Sequence, residues 1–306
     1  MFAQRHPAYY RNVPAVGFRP STTGNGRAMS KAIGVDSVID AQLAKVVATI
    51  GESGFFEKLV RFCEPLSGCS STVVAQFKTG SRPRHLFNTL RSQDEVTTVR
   101  PYIDGPYLLD PFYSLMTEGA PDGVYRLFEI APDEFSETEY YNVYFRRTRL
   151  REEIGLLIRL DPQSHLLVSF GSRESDGSDP DSTTLKLLEP LIGALCRKHW
   201  EVWRAREPEG DATFAASLDN AYRNFGRDLL TDREREVMML LLKGHSSKSM
   251  ARVLNISPET IKIHRRNLYN KIDVGTQSEL FSVFLESLAT IPVGSDEDPL
   301  QRYHGV

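Results

Sequence analysis

The stretch Leu230-Thr231-Asp232-Arg233-Glu234-Arg235-Glu236-Val237, continued through Lys243-Gly244-His245-Ser246-Ser247-Lys248 to Asn255-Ile256-Ser257-Pro258, carries its own punctuation. Thr231 and Glu234 have capping-box spacing and open a helix that Gly244 closes. Ser246 or Ser247 starts a short helix through Met250, Ala251 and Leu254, and Asn255-Ile256 turns the chain. Ser257 caps a third helix with Pro258 at its first position, where a missing N–H costs nothing. Two short helices, a tight turn and a second helix free to enter a major groove predict a helix–turn–helix.

A helical wheel sorts that third helix. Ile261, Leu268 and Ile272 share one stripe and must face a core. Glu259, Ile263, Arg266 and Asn270 lie opposite, with Lys262 and Asn267 on the flanks. Lys, Arg, Asn and one apolar side chain suit base edges and thymine methyls. Ser257 and Thr260, at the helix start, can hold a phosphate through backbone N–H groups. An ordinary three-helix cap accounts for the core stripe equally well. It does not account for Lys262, Ile263 and Arg266 together on the exposed side.

Charge follows the same segment. The chain has 306 residues and a formal charge of −3, yet seven basic residues and one acid, Glu259, fall between Lys243 and Lys271. On charge alone a solvated helical face and a nucleic-acid contact weigh equally. The helix geometry favours the second.

These residues closely resemble the LuxR-type DNA-binding domain over about residues 226–290. The matching pieces are Leu230-Thr231-x-Arg233-Glu234-x-Glu236-Val237, Lys243-Gly244, Lys248-x-x-Ala251 and Leu254-x-Ile256-Ser257-x-x-Thr260-Ile261-Lys262-x-His264. The resemblance implies a four-helix domain that binds double-stranded DNA as a homodimer, with a fourth helix near 278–288 at the dimer contact. By family position Lys262, Ile263 and Arg266 meet bases, and Thr260, Lys248 and Lys271 meet phosphates. An activator of this kind would also contact RNA polymerase.

Upstream, the pattern predicts a second and larger unit. Residues 1–33, rich in Arg, Pro, Gly and Ser, read as a flexible arm, and 34–206 as an α+β sensor domain. Residues 207–225 read as a linker and 291–306 as a flexible tail. Helical patterns cover Asp36 to Ile50 and Phe55 to Cys63. Strand patterns cover Thr72–Phe77, His85–Leu90, Val124–Ile130, Glu153–Leu160 and His165–Phe170, the last two turning at Asp161-Pro162. Between them, Asp94 to Met116 reads as broken helix, and Ser136 with Glu139 as a capping box for a helix to Arg147. A long helix starts near Ser182 with the stripe Leu188, Leu191, Leu195, Trp200 and Trp203. Its two tryptophans are candidates for a dimer surface. The predicted fold is thus α+β, an antiparallel-sheet sensor of GAF- or PAS-like sandwich type flanked by helices, joined to an all-α four-helix helix–turn–helix domain.

Several function classes drop out. There is no G-x-S-x-G, no H-E-x-x-H, no P-loop and no dinucleotide loop, so no catalytic residues and no enzyme are expected. Cys63, Cys69 and Cys196 form no C-x-x-C pair, and the histidines show no ligand spacing, so no metal and no cofactor are expected. No apolar run is long enough to span a bilayer, and the N-terminus lacks the apolar core of a secretory signal. A cytoplasmic protein with reduced thiols is the expectation.

The aromatic distribution points to a small molecule. Eleven aromatic residues fall between positions 102 and 145. Each taken singly reads more readily as core, but Tyr needs a partner for its hydroxyl, which favours a polar, aromatic-lined site for the cluster. Tyr102, Tyr107, Asp110, Tyr113, Tyr125 and Glu129 are the candidate ligand-binding residues. The run Tyr102-x4-Tyr107-x2-Asp110-Pro111 is similar to a stretch in autoinducer-binding domains of quorum-sensing LuxR regulators. That similarity implies that Asp110 accepts a ligand N–H and that Tyr102 lines the cavity. The Tyr-to-Asp spacing is one residue short and the only tryptophans are Trp200 and Trp203, so an acyl-homoserine lactone is not specified. Asp110 and Glu129 suit an amine-bearing ligand equally, and Asp110-Pro111 also reads as a simple turn or helix cap. The expected function is a DNA-binding transcriptional regulator whose N-terminal domain senses a small molecule and controls dimeric operator binding. The alternative is a ligand-free protein-interaction or dimerisation module in the same place.

Overall fold

The computed structural model describes residues 41–79, 81–103, 105–138, 140–173, 180–204, 221–289 and 295–304. The expected arm at 1–33 and residues 207–220 of the expected linker lie outside the described residues. Helix α1 (residues 41–48) leads into α2 (Phe55–Ser67), which stops at Gly68 in the left-handed conformation, φ 66°. Strands β1 (Ser71–Lys78) and β2 (Arg84–Asn88) follow, then α3 (Ser92–Ile103) and α4 (Pro111–Thr117). The remaining strands are β3 (Gly123–Arg126), β4 (Leu150–Asp161) and β5 (Ser164–Arg173), and α5 (Thr183–Arg204) closes the unit.

The five strands form one antiparallel sheet in the order β2-β1-β5-β4-β3. Alternation divides its side chains between two cores. Val74, Ile154, Leu156, Ile158 and Val168 face α2 and α5, whose Leu59, Val60 and Ile192 complete that layer. Ala75, Phe77, Leu157 and Leu167 face the other way, toward the aromatic residues of 107–145. Because both faces are covered, β4 reads as a nearly unbroken apolar run rather than a clean alternation. Gly155 lets the ring of Phe112 lie directly on the sheet, since a Cβ there would stand 2.3 Å from Phe112 Cε1.

The C-terminal unit consists of α6 (Asp232–Lys243), α7 (Ser247–Leu254), α8 (Pro258–Ile272) and α9 (Gln277–Ala289). The Thr231/Glu234 capping box, the Ser246 and Ser257 caps and the left-handed Gly244 and Asn255 are all present. Ile261, Leu268 and Ile272 are fully buried.

Four sequence expectations need correction. The strand expected over Val124–Ile130 ends at Arg126 and continues as one helical turn, Leu127–Ile130, because Leu127 turns into the aromatic core. The helix expected behind a Ser136 cap is instead capped by buried Thr138, whose hydroxyl accepts Tyr141 N–H at 3.1 Å; Glu139 lies outside the described residues. Along α5 the inward residues are Leu185, Ile192, Leu195, Cys196 and His199, while Leu191 is exposed. Trp200 is buried and donates its indole N–H to Asp161 at 3.2 Å, which removes it as a surface anchor. Last, the tail does not hang free. Asp298 is buried and accepts Gly226 N–H at 2.8 Å and Asp228 N–H at 2.9 Å, and it starts α10 (Pro299–His304), whose Leu300 is fully buried.

Among the described residues no helix is long and apolar enough to cross a membrane, and no His/Cys/Asp/Glu group is arranged to hold a metal. All three cysteines are buried and none is in a disulfide.

Candidate nucleic-acid interface and sensor site

Helix α8 presents the surface that its sequence implies. Lys262, Arg266 and Asn270 are exposed, and Ile263 keeps 50% of its surface open on the same face. Ser257 Oγ accepts Thr260 N–H at 3.1 Å and meets Thr260 Oγ1 at 2.9 Å, so two ordered hydroxyls stand at the helix start. Arg265 lies over the Tyr269 ring at 5.3 Å, and Asn267 is half-buried. Lys248, on α7, is exposed.

Lys271 stands apart from the other basic candidates. Its ammonium is 2.7 Å from Glu234 Oε2, and Glu234 is buried inside the capping box of α6. Burial works to raise the Glu234 carboxyl, but Lys271 and Thr231 outweigh it and hold the group below its ordinary range. The first role of Lys271 is therefore to tie α8 to α6.

In the N-terminal unit, the structure brings together only part of the expected ligand set. Asp110 is buried and caps α4, accepting Phe112 N–H at 2.7 Å. Its other oxygen accepts the Tyr102 hydroxyl at 2.7 Å, and Tyr140 hydrogen-bonds the same carboxylate. Tyr107 is buried beside them, edge-on to Tyr113 at 5.1 Å and to Tyr102 at 6.3 Å. Tyr125 sits at the sheet edge and gives its hydroxyl to Pro121 O at 2.7 Å. Glu129 is exposed and does not join the cluster, because the helical turn at Leu127 rotates it outward.

The second acid of the site is Glu153, on β4. Strand alternation puts it on the aromatic face with Gly155 and Leu157, and it accepts the hydroxyl of Ser169 from β5. Burial, with the nearby Asp110 charge adding to it, pushes the Glu153 carboxyl up to about 8. Burial also raises Asp110, opposed by the hydrogen bonds from Tyr102, Phe112 and Tyr140. Glu153 and Tyr140 are the residues sequence reading missed. The only available signal was strand alternation, which puts Glu153 on the same face as Gly155 and Leu157.

The two units share one apolar cluster, in which Phe112, Phe135 and Leu157 join Val237, Met238 and Leu241. Polar contacts flank it. Glu134 N–H donates to Gly244 O at 3.0 Å, and Lys243 reaches Glu118 at 3.9 Å.

The profile of bacterial regulatory proteins, luxR family, matches residues 228–284. An HTH-type transcriptional regulator encoded in the exeN 3' region of Aeromonas salmonicida is 31% identical over 197 residues, covering 62% of this chain and 100% of that protein. The nitrate/nitrite response regulator NarP of Escherichia coli is 43% identical over 58 residues, 19% of this chain and 27% of that protein. Among solved structures, the VqsR LBD domain from Pseudomonas aeruginosa is 25% identical, covers 53% of this chain and 96% of that chain, and superposes with a TM-score of 0.46. With a relative matched along its entire length and a family profile seated on α6 to α9, this chain belongs to the luxR family of bacterial regulatory proteins.

Proposed function

We propose that this LuxR-type transcriptional regulator binds a small molecule in its N-terminal domain and that the ligand sets the affinity of a dimer for operator DNA. Lys262, Ile263, Arg266 and Asn270 read bases. Thr260, Ser257, Lys248 and Asn267 position the backbone. The observation that carries the sensor half is the set of buried Asp110 and Tyr140 with half-buried Tyr102 and Glu153 on the aromatic face of the sheet. Burying two carboxyls costs stability that an apolar core would not lose. Polar groups converging among aromatic walls are how a small-molecule site is built.

The second reading is a ligand-free dimerisation or protein-interaction module. It is favoured by one observation: Asp110 already caps α4 and is satisfied by Tyr102.

Thermal unfolding of the full chain against a metabolite panel, including acyl-homoserine lactones and small amines, separates the two. A ligand at about 100 times its Kd adds roughly 2.7 kcal/mol, a clear shift in midpoint. Loss of that shift in Asp110→Asn and Glu153→Gln supports the sensor. A shift that both variants retain moves the ligand elsewhere, and no shift with any compound favours the module.

A further inference from the structure

We propose that the cleft between the two domains is a second ligand site, separate from the aromatic core, that takes a small organic anion bearing a flat apolar group. The cleft has a volume of about 480 Å3, within the range of roughly 300–1,000 Å3 typical of small-molecule sites. Five basic side chains line it: Lys78 at the end of β1, Arg159 and His165 at the β4–β5 hairpin, Arg223 ahead of α6, and Lys243 at the end of α6. No Asp or Glu is among its lining residues.

The neighbouring acids are already engaged. Asp122 is held by Arg197 at 2.6 Å, Asp161 by Arg204 at 3.6 Å, and Glu118 stands 3.9 Å from Lys243. Among the described residues Lys78 and Arg159 form no ion pair, and His165 Nε2 is buried without a hydrogen-bond partner. Burial and the Arg159 charge pull the His165 pKa down, against the opposing pull of Asp122 and Asp161. A cleft of one sign with low-dielectric walls concentrates counter-ions, and a guanidinium fork matches carboxylate or phosphate oxygens. The lining also includes aromatic rings: Phe77 and Tyr113, with ring centroids 6.0 Å apart, and Tyr222. They supply a slot for a ring beside the charge.

Both domains contribute, Lys78, Arg159 and His165 from one and Tyr222, Arg223 and Lys243 from the other. An occupant therefore bridges them, whether or not the aromatic core takes a ligand of its own.

The test uses 8-anilinonaphthalene-1-sulfonate, followed by fluorescence on the full chain, with N-phenyl-1-naphthylamine as the same ring system lacking the sulfonate. One saturable sulfonate site is expected, competed by inorganic phosphate and weakened at least tenfold in the double variant Lys78→Gln/Arg159→Gln. Both of these side chains are exposed, so the fold should persist. The charge-keeping pair Lys78→Arg/Arg159→Lys should retain binding, and Asp110→Asn should leave it unchanged. Unaltered sulfonate affinity in the double variant overturns the proposal, as does an equal loss of the neutral probe. Loss confined to Asp110→Asn assigns the probe to the aromatic core instead. A fall in duplex-DNA affinity of the probe-free double variant assigns these cations to nucleic acid, and the proposal fails.

Discussion

Asp133, in the N-terminal domain, caps the residue that itself caps a helix of the DNA-binding domain. Its carboxylate accepts Ser246 N–H at 3.0 Å and the Ser246 hydroxyl at 2.5 Å, while Ser246 Oγ accepts Ser249 N–H at 3.1 Å at the start of α7. One carboxylate thus ties the inter-domain contact to the first turn of the helix–turn–helix. Burial works to raise the Asp133 pKa, but the two Ser246 hydrogen bonds outweigh it and hold it below its ordinary value.

Asp133→Ala should cost about 0.5–1.5 kcal/mol near neutral pH, the usual net worth of such a hydrogen bond, while Ser246 keeps its own cap on α7. The folded-state pKa is depressed, so the contribution is present above the unfolded value of 3.8 and lost as pH falls through the folded one. Urea titrations of wild type and variant at pH 7 and at pH 3 check this: the two curves should separate at the first and lie closer together at the second.

Gly244→Ala should destabilise more than Asp133→Ala. Gly244 has φ 91°, and a Cβ there would stand 2.9 Å from Phe135 Cα and 2.7 Å from Thr138 Cγ2. Strained backbone and overpacking together predict a loss of about 1–3 kcal/mol or somewhat more. A urea midpoint equal to that of wild type would show that this approach of the two domains does not persist in solution.

Lys262→Ala and Arg266→Ala should each lose about 1–3 kcal/mol on a selected operator and little on random duplex. Lys271→Ala should behave differently, because it strands buried Glu234 without its ion partner. Its signature is a lowered melting midpoint, beyond any change in DNA affinity. Calorimetry beside anisotropy titrations distinguishes the two classes.

The raised Glu153 carboxyl makes stability fall as pH rises. Its folded pKa of about 8 lies above the unfolded 4.5, so its favourable contribution is complete below 4.5 and lost on passing about 8. A single such group gives a slope of at most about 1.4 kcal/mol per pH unit within that window. Glu153→Gln should flatten the slope, as read from urea midpoints between pH 5 and pH 8.5. An unchanged slope would place the titrating group elsewhere.

The C-terminal domain was legible almost residue by residue, because its boundaries are set by local chemistry. Thr231, Gly244, Ser257 and Pro258 act within a few residues of themselves, and the Ile261/Leu268/Ile272 stripe follows from helical period alone. The sensor half was legible as a list of strands, since β4 and β5 carry their own apolar pattern. The cluster was not, because Glu153 meets Asp110 through the packing of α4 on the sheet, across more than forty residues of sequence. Glu129, the second acid named from sequence, points outward because the strand pattern of Val124–Ile130 ends in a helical turn that draws Leu127 inward. Likewise the acidic tail read as loose, and nothing local announces that Asp298 reaches back to Gly226 N–H.

Coupling between sensor and DNA is the central claim, and one titration addresses it most directly. An operator is selected from randomised duplexes with the full chain, and its affinity is measured by anisotropy with and without a saturating compound that has raised the melting midpoint. A shift of about 5- to 150-fold is expected, the range of ordinary allosteric coupling, and it should vanish in Asp110→Asn while operator binding itself remains. Identical affinities with and without a bound compound would contradict the account, leaving a DNA-binding protein whose N-terminal domain does not control it.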